Sequence, residues 1–289
     1  MKDQAEILRN KLIEDKSMIP VRTLAVISGK GGVGKSNFAL NFSIELANKG
    51  HSVLLFDMDI GMGNIDILTG ASPAYSIADF FSENSVPLKN LITELPGGID
   101  FIAGGSGLMK LPNINKESFY SFTNEFASLL SEYQYIIFDM SAGLNETSLQ
   151  FILSVDEVVV VTTPEPTSIT DAYSVIKYIT LEKKEMPFYI VINRSHNVKE
   201  GMETFNRISI VLRHFLHKDV ILLGIVPDDL NIPNAVKRQI PFIHYDAKAP
   251  SSRALTALTE RFCQQEFTLQ GNSVKINFVA RLKRFLFNR

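Results

Sequence analysis

The stretch Ser28-Gly29-Lys30-Gly31-Gly32-Val33-Gly34-Lys35-Ser36 constrains this chain more than any other, because it follows a short β-branched run and opens a helical one. Strand, glycine-rich loop and helix in that order are the context in which a loop can cradle phosphate. Glycines let the backbone approach the anion with several N–H groups turned inward, and the helix start adds the positive end of its dipole. Lys35 is placed to reach the terminal phosphates, and the Ser36 hydroxyl is placed to ligate magnesium. Gly29 to Ser36, with Asn37 behind them, are therefore the candidate phosphate-binding residues.

Around this loop, short aliphatic runs alternate with helical patterns. The runs are Thr23 to Ser28, Ser52 to Asp57, Tyr135 to Asp139, Val158 to Thr162, Tyr189 to Asn193 and Val220 to Val226. Several are apolar on both faces, as strands between two helix layers must be. Helical spacing near 37–48, 116–131, 167–184 and 200–215 supplies the crossovers, so the expected fold is α/β, a doubly wound, mostly parallel sheet in a single domain. The expected division is 1–20 as an amino-terminal segment and linker, with Pro20 at its boundary, 21–265 as the α/β domain, and 266–289 as a carboxyl-terminal helix.

Two further strand ends carry carboxylates where a parallel sheet presents its ligand site. The run Leu54-Leu55-Phe56-Asp57-Met58-Asp59 places Asp57 and Asp59 on the same side of a strand, and Gly61, Gly63 and Asn64 follow. Asp57 reads either as a magnesium-side ligand or as a structural cap. Asp139 ends an apolar strand before Met140-Ser141-Ala142-Gly143 and fits a carboxylate that holds magnesium.

Lys30 is the unusual element, since a second lysine at the start of the loop is not needed to bind phosphate within one subunit. With it, the segment KGGVGKS resembles the deviant Walker A motif of the MinD/ParA superfamily, which includes nitrogenase iron protein and the FlhG-type regulators of flagellar placement. The resemblance implies a magnesium-dependent ATPase in which Lys30 crosses a sandwich homodimer to the partner's ATP, completing charge stabilisation in trans. It extends to the DxDxGxxN segment, where it gives Asp59 the task of orienting the attacking water. Asp59, Lys30 and Lys35 are thus the expected catalytic residues, with Ser36, Asp57 and Asp139 at the metal. The usual switch II form has proline where Ser141 stands, so rigidity at that turn is expected to differ.

The same resemblance assigns the far end of the nucleotide. Asn193 closes a strand and can offer both a donor and an acceptor to adenine; Pro227 and Asp229 close another. Glu165, in the segment TTPEPTSITDA, corresponds to a loop that approaches nucleotide and dimer partner. Taken alone, each of these strand ends also reads as a simple turn.

The segment VKINFVARLKRFLFNR spaces Phe278, Leu282, Phe285 and Leu286 along one helical stripe and sets Arg281, Lys283 and Arg284 beside it. No acidic residue follows Glu266. This is the pattern of an interfacial helix for anionic lipid and resembles the membrane-targeting tail of MinD and FlhG-type proteins, although a terminal helix packed on the core would show the same stripe. At the other end, Asp3, Gln4, Ala5, Leu8 and Arg9 lie in DQAEILR, which resembles the FlhG-type motif that engages FlhF, a GTPase related to signal-recognition particle. That branch also implies contact with proteins of the flagellar C-ring.

Composition narrows the alternatives. With 29 basic and 31 acidic residues, net charge does not announce a nucleic-acid binder, which weighs against a ParA-type DNA-partitioning role. Cys263 is the single cysteine, so an internal disulfide and a cysteine-rich metal site built by one chain are both excluded and a reducing cytoplasm is expected; it also lies far from the cluster positions that the resemblance to an iron protein would require. The amino terminus shows no export-signal pattern, and no apolar run approaches the roughly 20 residues needed to span a bilayer, so membrane contact is expected to be peripheral and reversible, on the inner face. A MinD-type division-site ATPase remains the alternative with the same loop and tail; a P-loop synthetase would need a substrate pocket and no lipid-binding tail.

Overall fold

Strands form where runs of β-branched and aliphatic residues can be covered on both faces. The computed structural model describes residues 21–59, 63–82, 84–105, 116–264 and 278–287. Its strands are β1 (Arg22–Ile27), β2 (Val53–Met58), β3 (Ile92–Leu95), β4 (Ile99–Ile102), β5 (Tyr135–Met140), β6 (Glu157–Thr162), β7 (Phe188–Ser195) and β8 (Ile221–Pro227). They make one sheet in the order β3-β4-β2-β5-β1-β6-β7-β8, and every neighbouring pair is parallel except β3 with β4. The expected doubly wound sheet is borne out. The β3–β4 hairpin, which turns through Gly97 and Gly98 at positive φ, extends one edge beyond the six strands read from the sequence.

The helices are α1 (Lys35–Asn48), α2 (Ile65–Thr69), α3 (Ile77–Phe80), α4 (Lys116–Leu129), α5 (Glu146–Ser154), α6 (Pro166–Glu182), α7 (Val198–Leu216), α8 (Asn231–Lys237), α9 (Phe242–Tyr245), α10 (Pro250–Gln264) and α11 (Phe278–Phe287). Alternate strand residues feed two cores. Leu24, Val26, Leu55, Ile137 and Val191 pack with Phe38, Phe42, Leu255 and Phe262 from α1 and α10. Ala25, Phe56, Phe138, Val160 and Ile190 pack with residues of α4, α5, α6, α7 and α11. A one-residue slip in any central strand would exchange the two sets, so register is firmly set.

The carboxyl-terminal helix belongs to the second core. Phe278, Val279 and Leu282 are 2%, 6% and 0% exposed. The Phe278 ring stacks on Phe138 at 5.2 Å and lies 5.4 Å from Phe126. Within the described residues, then, this end of the chain packs as core and not as an appendage. Among them no helix is long and apolar enough to cross a membrane. Asp3, Gln4, Ala5, Leu8 and Arg9, expected to meet a partner, lie outside the described residues.

Candidate functional site

The phosphate loop leaves β1 and enters α1, whose first turn begins at Gly34. Gly32 and Gly34 hold φ of 80° and 89°, a left-handed backbone that L side chains rarely adopt. Gly29 is glycine for a different reason: a Cβ there would come within 2.4 Å of the Asp171 backbone on α6. The loop is therefore wedged against that helix.

Lys35 is buried, 7% exposed, and forms an ion pair with Asp139, which is completely buried at the end of β5. Its ammonium also lies 3.3 Å from the Ser36 hydroxyl. Register places Asp57 directly beside Asp139 on adjacent parallel strands. Burial, with the Asp139 charge adding to it, pushes the Asp57 carboxyl up to about 7. Burial likewise raises Asp139 and Asp59, with Lys35 opposing the rise in both. The structure thus brings Lys35, Ser36, Asp57, Asp59 and Asp139 into one charged cluster at the sheet's carboxyl end, as expected.

Asp57 is engaged as a turn-former. Its two oxygens accept the backbone N–H groups of Asp59 at 2.9 Å and Asn64 at 3.3 Å. Of the two roles open to it, this is the structural one. Asp139 differs: Oδ1 meets Lys35, whereas Oδ2 is buried with no hydrogen-bond partner. A buried acceptor left so is costly unless something arrives to use it. Together with the Ser36 hydroxyl and the backbone N–H groups of the loop, that oxygen fits a magnesium ion and a nucleotide triphosphate. Among the described residues no group of three or more His, Cys, Asp or Glu gathers to hold a metal. Magnesium would thus rely on Ser36, Asp139 and the phosphates themselves, its usual habit.

Lys30 points away from this cluster. Its ammonium sits 3.2 Å from Glu165 Oε2 and 3.4 Å from the Thr167 hydroxyl, at the start of α6. Glu165, expected near nucleotide and partner, here holds Lys30 within its own subunit. Thr167 and Asp171 lie in the same TTPEPTSITDA segment but were not singled out within it, because their contacts with Lys30 and with Gly29 are made across the fold.

The base-end residues also serve the fold itself. Asn193 Nδ2 donates to the Val33 carbonyl at 2.8 Å, so part of its hydrogen-bonding capacity serves the phosphate loop. Asp229 is a cap. One of its oxygens accepts from the Asn231 N–H and the other from the N–H and hydroxyl of Ser251 at the start of α10. Burial works against its ionisation, but those hydrogen bonds outweigh it and hold the carboxyl below its ordinary value. Pro227 ends β8 beside Ser195, and Asn37 Oδ1 accepts from Asn41 inside α1.

A family model described as ParA, NUBPL iron-transfer P-loop NTPase, matches residues 21–263. The chain belongs to the ParA/MinD family of P-loop NTPases. It hydrolyses ATP, and ATP and Mg2+ are its ligands. The antiactivator FleN of Pseudomonas aeruginosa is 30% identical over 245 residues, covering 85% of this chain and 87% of FleN. The flagellum site-determining protein YlxH of Helicobacter pylori is 34% identical over 229 residues, covering 72% and 76%. These two relatives bear out the FlhG-type resemblance. In shape, the chain matches the septum site-determining protein MinD of Pyrococcus horikoshii, solved with Mg-ADP, at a TM-score of 0.68 and 23% identity over 87% of this chain and 100% of that one.

The tail of this family member is held by both its faces. Beyond the buried stripe, Arg281 donates from Nε to the Ser154 carbonyl at 2.6 Å and pairs with Asp156 at 2.7 Å. Lys283 reaches Asn124 at 3.0 Å and lies 4.6 Å from the centre of the Tyr120 ring. Phe278, Leu282, Arg281 and Lys283, expected to face lipid, all face protein; Arg284 is exposed, and Phe285 and Leu286 lie in the helix's last two turns.

Proposed function

We propose that this ATPase is a dimerising switch that binds the membrane stably in its ATP dimer form and regulates the number and placement of flagella. The observation that carries the switch is the docked helix α11, whose apolar stripe and two of whose cations already have partners in the protein. Burying Phe278, Val279 and Leu282 stabilises the docked state by about 1.5–3 kcal/mol per side chain, and an acyl-chain boundary would offer the same side chains a similar gain. The apolar term therefore cancels between the two positions. What decides is the polar partners and the number of tails presented together.

ATP supplies the second. Lys30, released from Glu165, completes a partner's phosphate site, and the two tails of the dimer then act on one surface at high effective concentration. Each exposed lysine or arginine adds at most about 1 kcal/mol on an anionic leaflet, so one tail binds weakly and two bind well. Hydrolysis, with Asp59 orienting water, returns the monomer and the docked tail.

YlxH is named a flagellum site-determining protein, which supports the same setting for this chain, with an FlhF-type GTPase engaged through Asp3 to Arg9 and C-ring proteins as further partners. Exposed apolar side chains are available to a protein partner: Tyr178 and Leu181 of α6 and Ile210 and Phe215 of α7 are each more than 60% exposed. The test is co-sedimentation with anionic vesicles in ADP and in a non-hydrolysable ATP analogue, beside a chain lacking 274–289. Pelleting with the analogue alone, lost on deletion, is the expected result; pelleting in no state removes the membrane step.

A further inference from the structure

We infer that Asn193 is a positioning residue for the phosphate loop, aiming one of the N–H groups that receive phosphate. Its contact with the Val33 carbonyl spans 160 positions of sequence and is buried. The loop can turn its N–H groups inward only by turning carbonyls outward, and an outward carbonyl buried against the domain needs a donor. Asn193, 8% exposed at the end of β7, supplies it.

The geometry of the peptide unit gives that contact a consequence. The Val33 carbonyl and the Gly34 N–H belong to one planar, trans peptide and point in opposite directions. Pinning the carbonyl toward β7 fixes the Gly34 N–H toward the cradle. Gly34 is glycine on two counts, its φ of 89° and the 2.4 Å that would separate a Cβ there from Asn193 Nδ2. The carbonyl oxygen and second N–H of the Asn193 amide remain for a base, so one side chain joins the base end of the site to the phosphate end.

This separates from simple base reading by using a ligand that has no base. Binding of inorganic tripolyphosphate and of ATP is measured calorimetrically for the intact chain, for Asn193→Ala and for the isosteric Asn193→Asp, which cannot donate to Val33. Hydrogen exchange across residues 29–36 is followed without any ligand. Both variants are expected to lose about tenfold in affinity for tripolyphosphate and for ATP alike, as one buried hydrogen bond warrants, and to exchange faster across the loop. Should the alanine variant fail to fold, the aspartate variant and its exchange pattern carry the test. ATP binding weakened with tripolyphosphate binding unchanged, or loop exchange unaltered, would overturn the assignment.

Discussion

At the phosphate loop, Lys35 and Asp139 pair with side chains only 7% and 1% exposed, whereas at the tail Arg281 and Asp156 pair with 18% and 13% of theirs in reach of water. At the mouth of the loop, Lys30 and Glu165 pair with 44% and 62% exposed. The series orders the three contacts by how they are broken. Ions taken fully out of water depend on each other, and their pair parts only when comparable charge arrives, as a triphosphate with magnesium would bring. The tail pair has solvent and, on the proposed function, lipid phosphate as competitors. The Lys30 pair is nearly without energetic consequence and is free to be exchanged for a dimer contact.

The largest effect is expected at the most buried pair. Lys35→Ala should abolish ATP binding and, by leaving Asp139 buried and unpaired, lower stability by about 3–5 kcal/mol in denaturant melts. Adding Asp139→Asn should restore much of that stability and none of the phosphate release. A double variant no more stable than the single would break the comparison at its root.

Next come the two residues whose removal should leave the fold untouched. Asp59→Ala is expected to keep ATP and hydrolyse it about 100-fold more slowly or worse, the scale of a lost proton-transfer or water-orienting group. Lys30→Ala is expected to melt with the wild type, because its exposed pair contributes little, to bind ATP with similar affinity, and to remain monomeric by light scattering. An ATP-dependent dimer of Lys30→Ala would contradict its role in trans.

The contrast between the two regions also explains what could be read from sequence. The loop was legible because phosphate binding fixes residue types at fixed spacing: glycines where φ is positive, then Lys35 and Ser36. The central strands were legible because both faces of VVVVTT and YIVIN are apolar. The tail was half legible. Its stripe of Phe278 and Leu282 signals a helix with one buried face, but lipid and protein bury that face equally well. The protein side is an aromatic group made by Phe126, Phe138 and Phe151, brought together only by the fold. Asp156 was invisible for a similar reason: its role comes from standing next to Arg281, 125 positions away. The same holds for Asn193 and Val33. Short elements such as the β3–β4 hairpin were missed because four-residue strands have too little periodicity to register.

A smaller effect is expected at the tail pair. Asp156 also accepts from the N–H and hydroxyl of Thr23 on β1, so Asp156→Asn keeps one acceptor for β1 while losing the charge that holds Arg281. The tail's own chemistry is untouched by this change. Nucleotide-free Asp156→Asn should therefore bind anionic vesicles about 3- to 10-fold more than the wild type, the worth of an ion pair near 1 kcal/mol. Vesicle binding equal to the wild type would show that the apolar stripe alone holds the helix down.

The smallest effect sharpens the same contact through pH. Lys183 donates to the carbonyls of Leu153 and Val155 at 3.1 and 3.2 Å, beside the turn that Arg281 grips. Burial, with the Arg281 charge adding to it and Asp156 opposing, lowers its ammonium from 10.5 to about 8. Undocking α11 removes the Arg281 charge, so the undocked state holds the proton more tightly. Docking is thus penalised below the lowered value, and the penalty fades as pH rises from about 8 toward the undocked value. The neutral amine still donates to both carbonyls, so deprotonation removes repulsion without removing contacts. Nucleotide-free vesicle binding should fall by about twofold between roughly pH 7 and pH 9, and Lys183→Met should flatten that slope. A rise with pH, or the same slope in the methionine variant, would place the titrating group elsewhere on the tail's binding site.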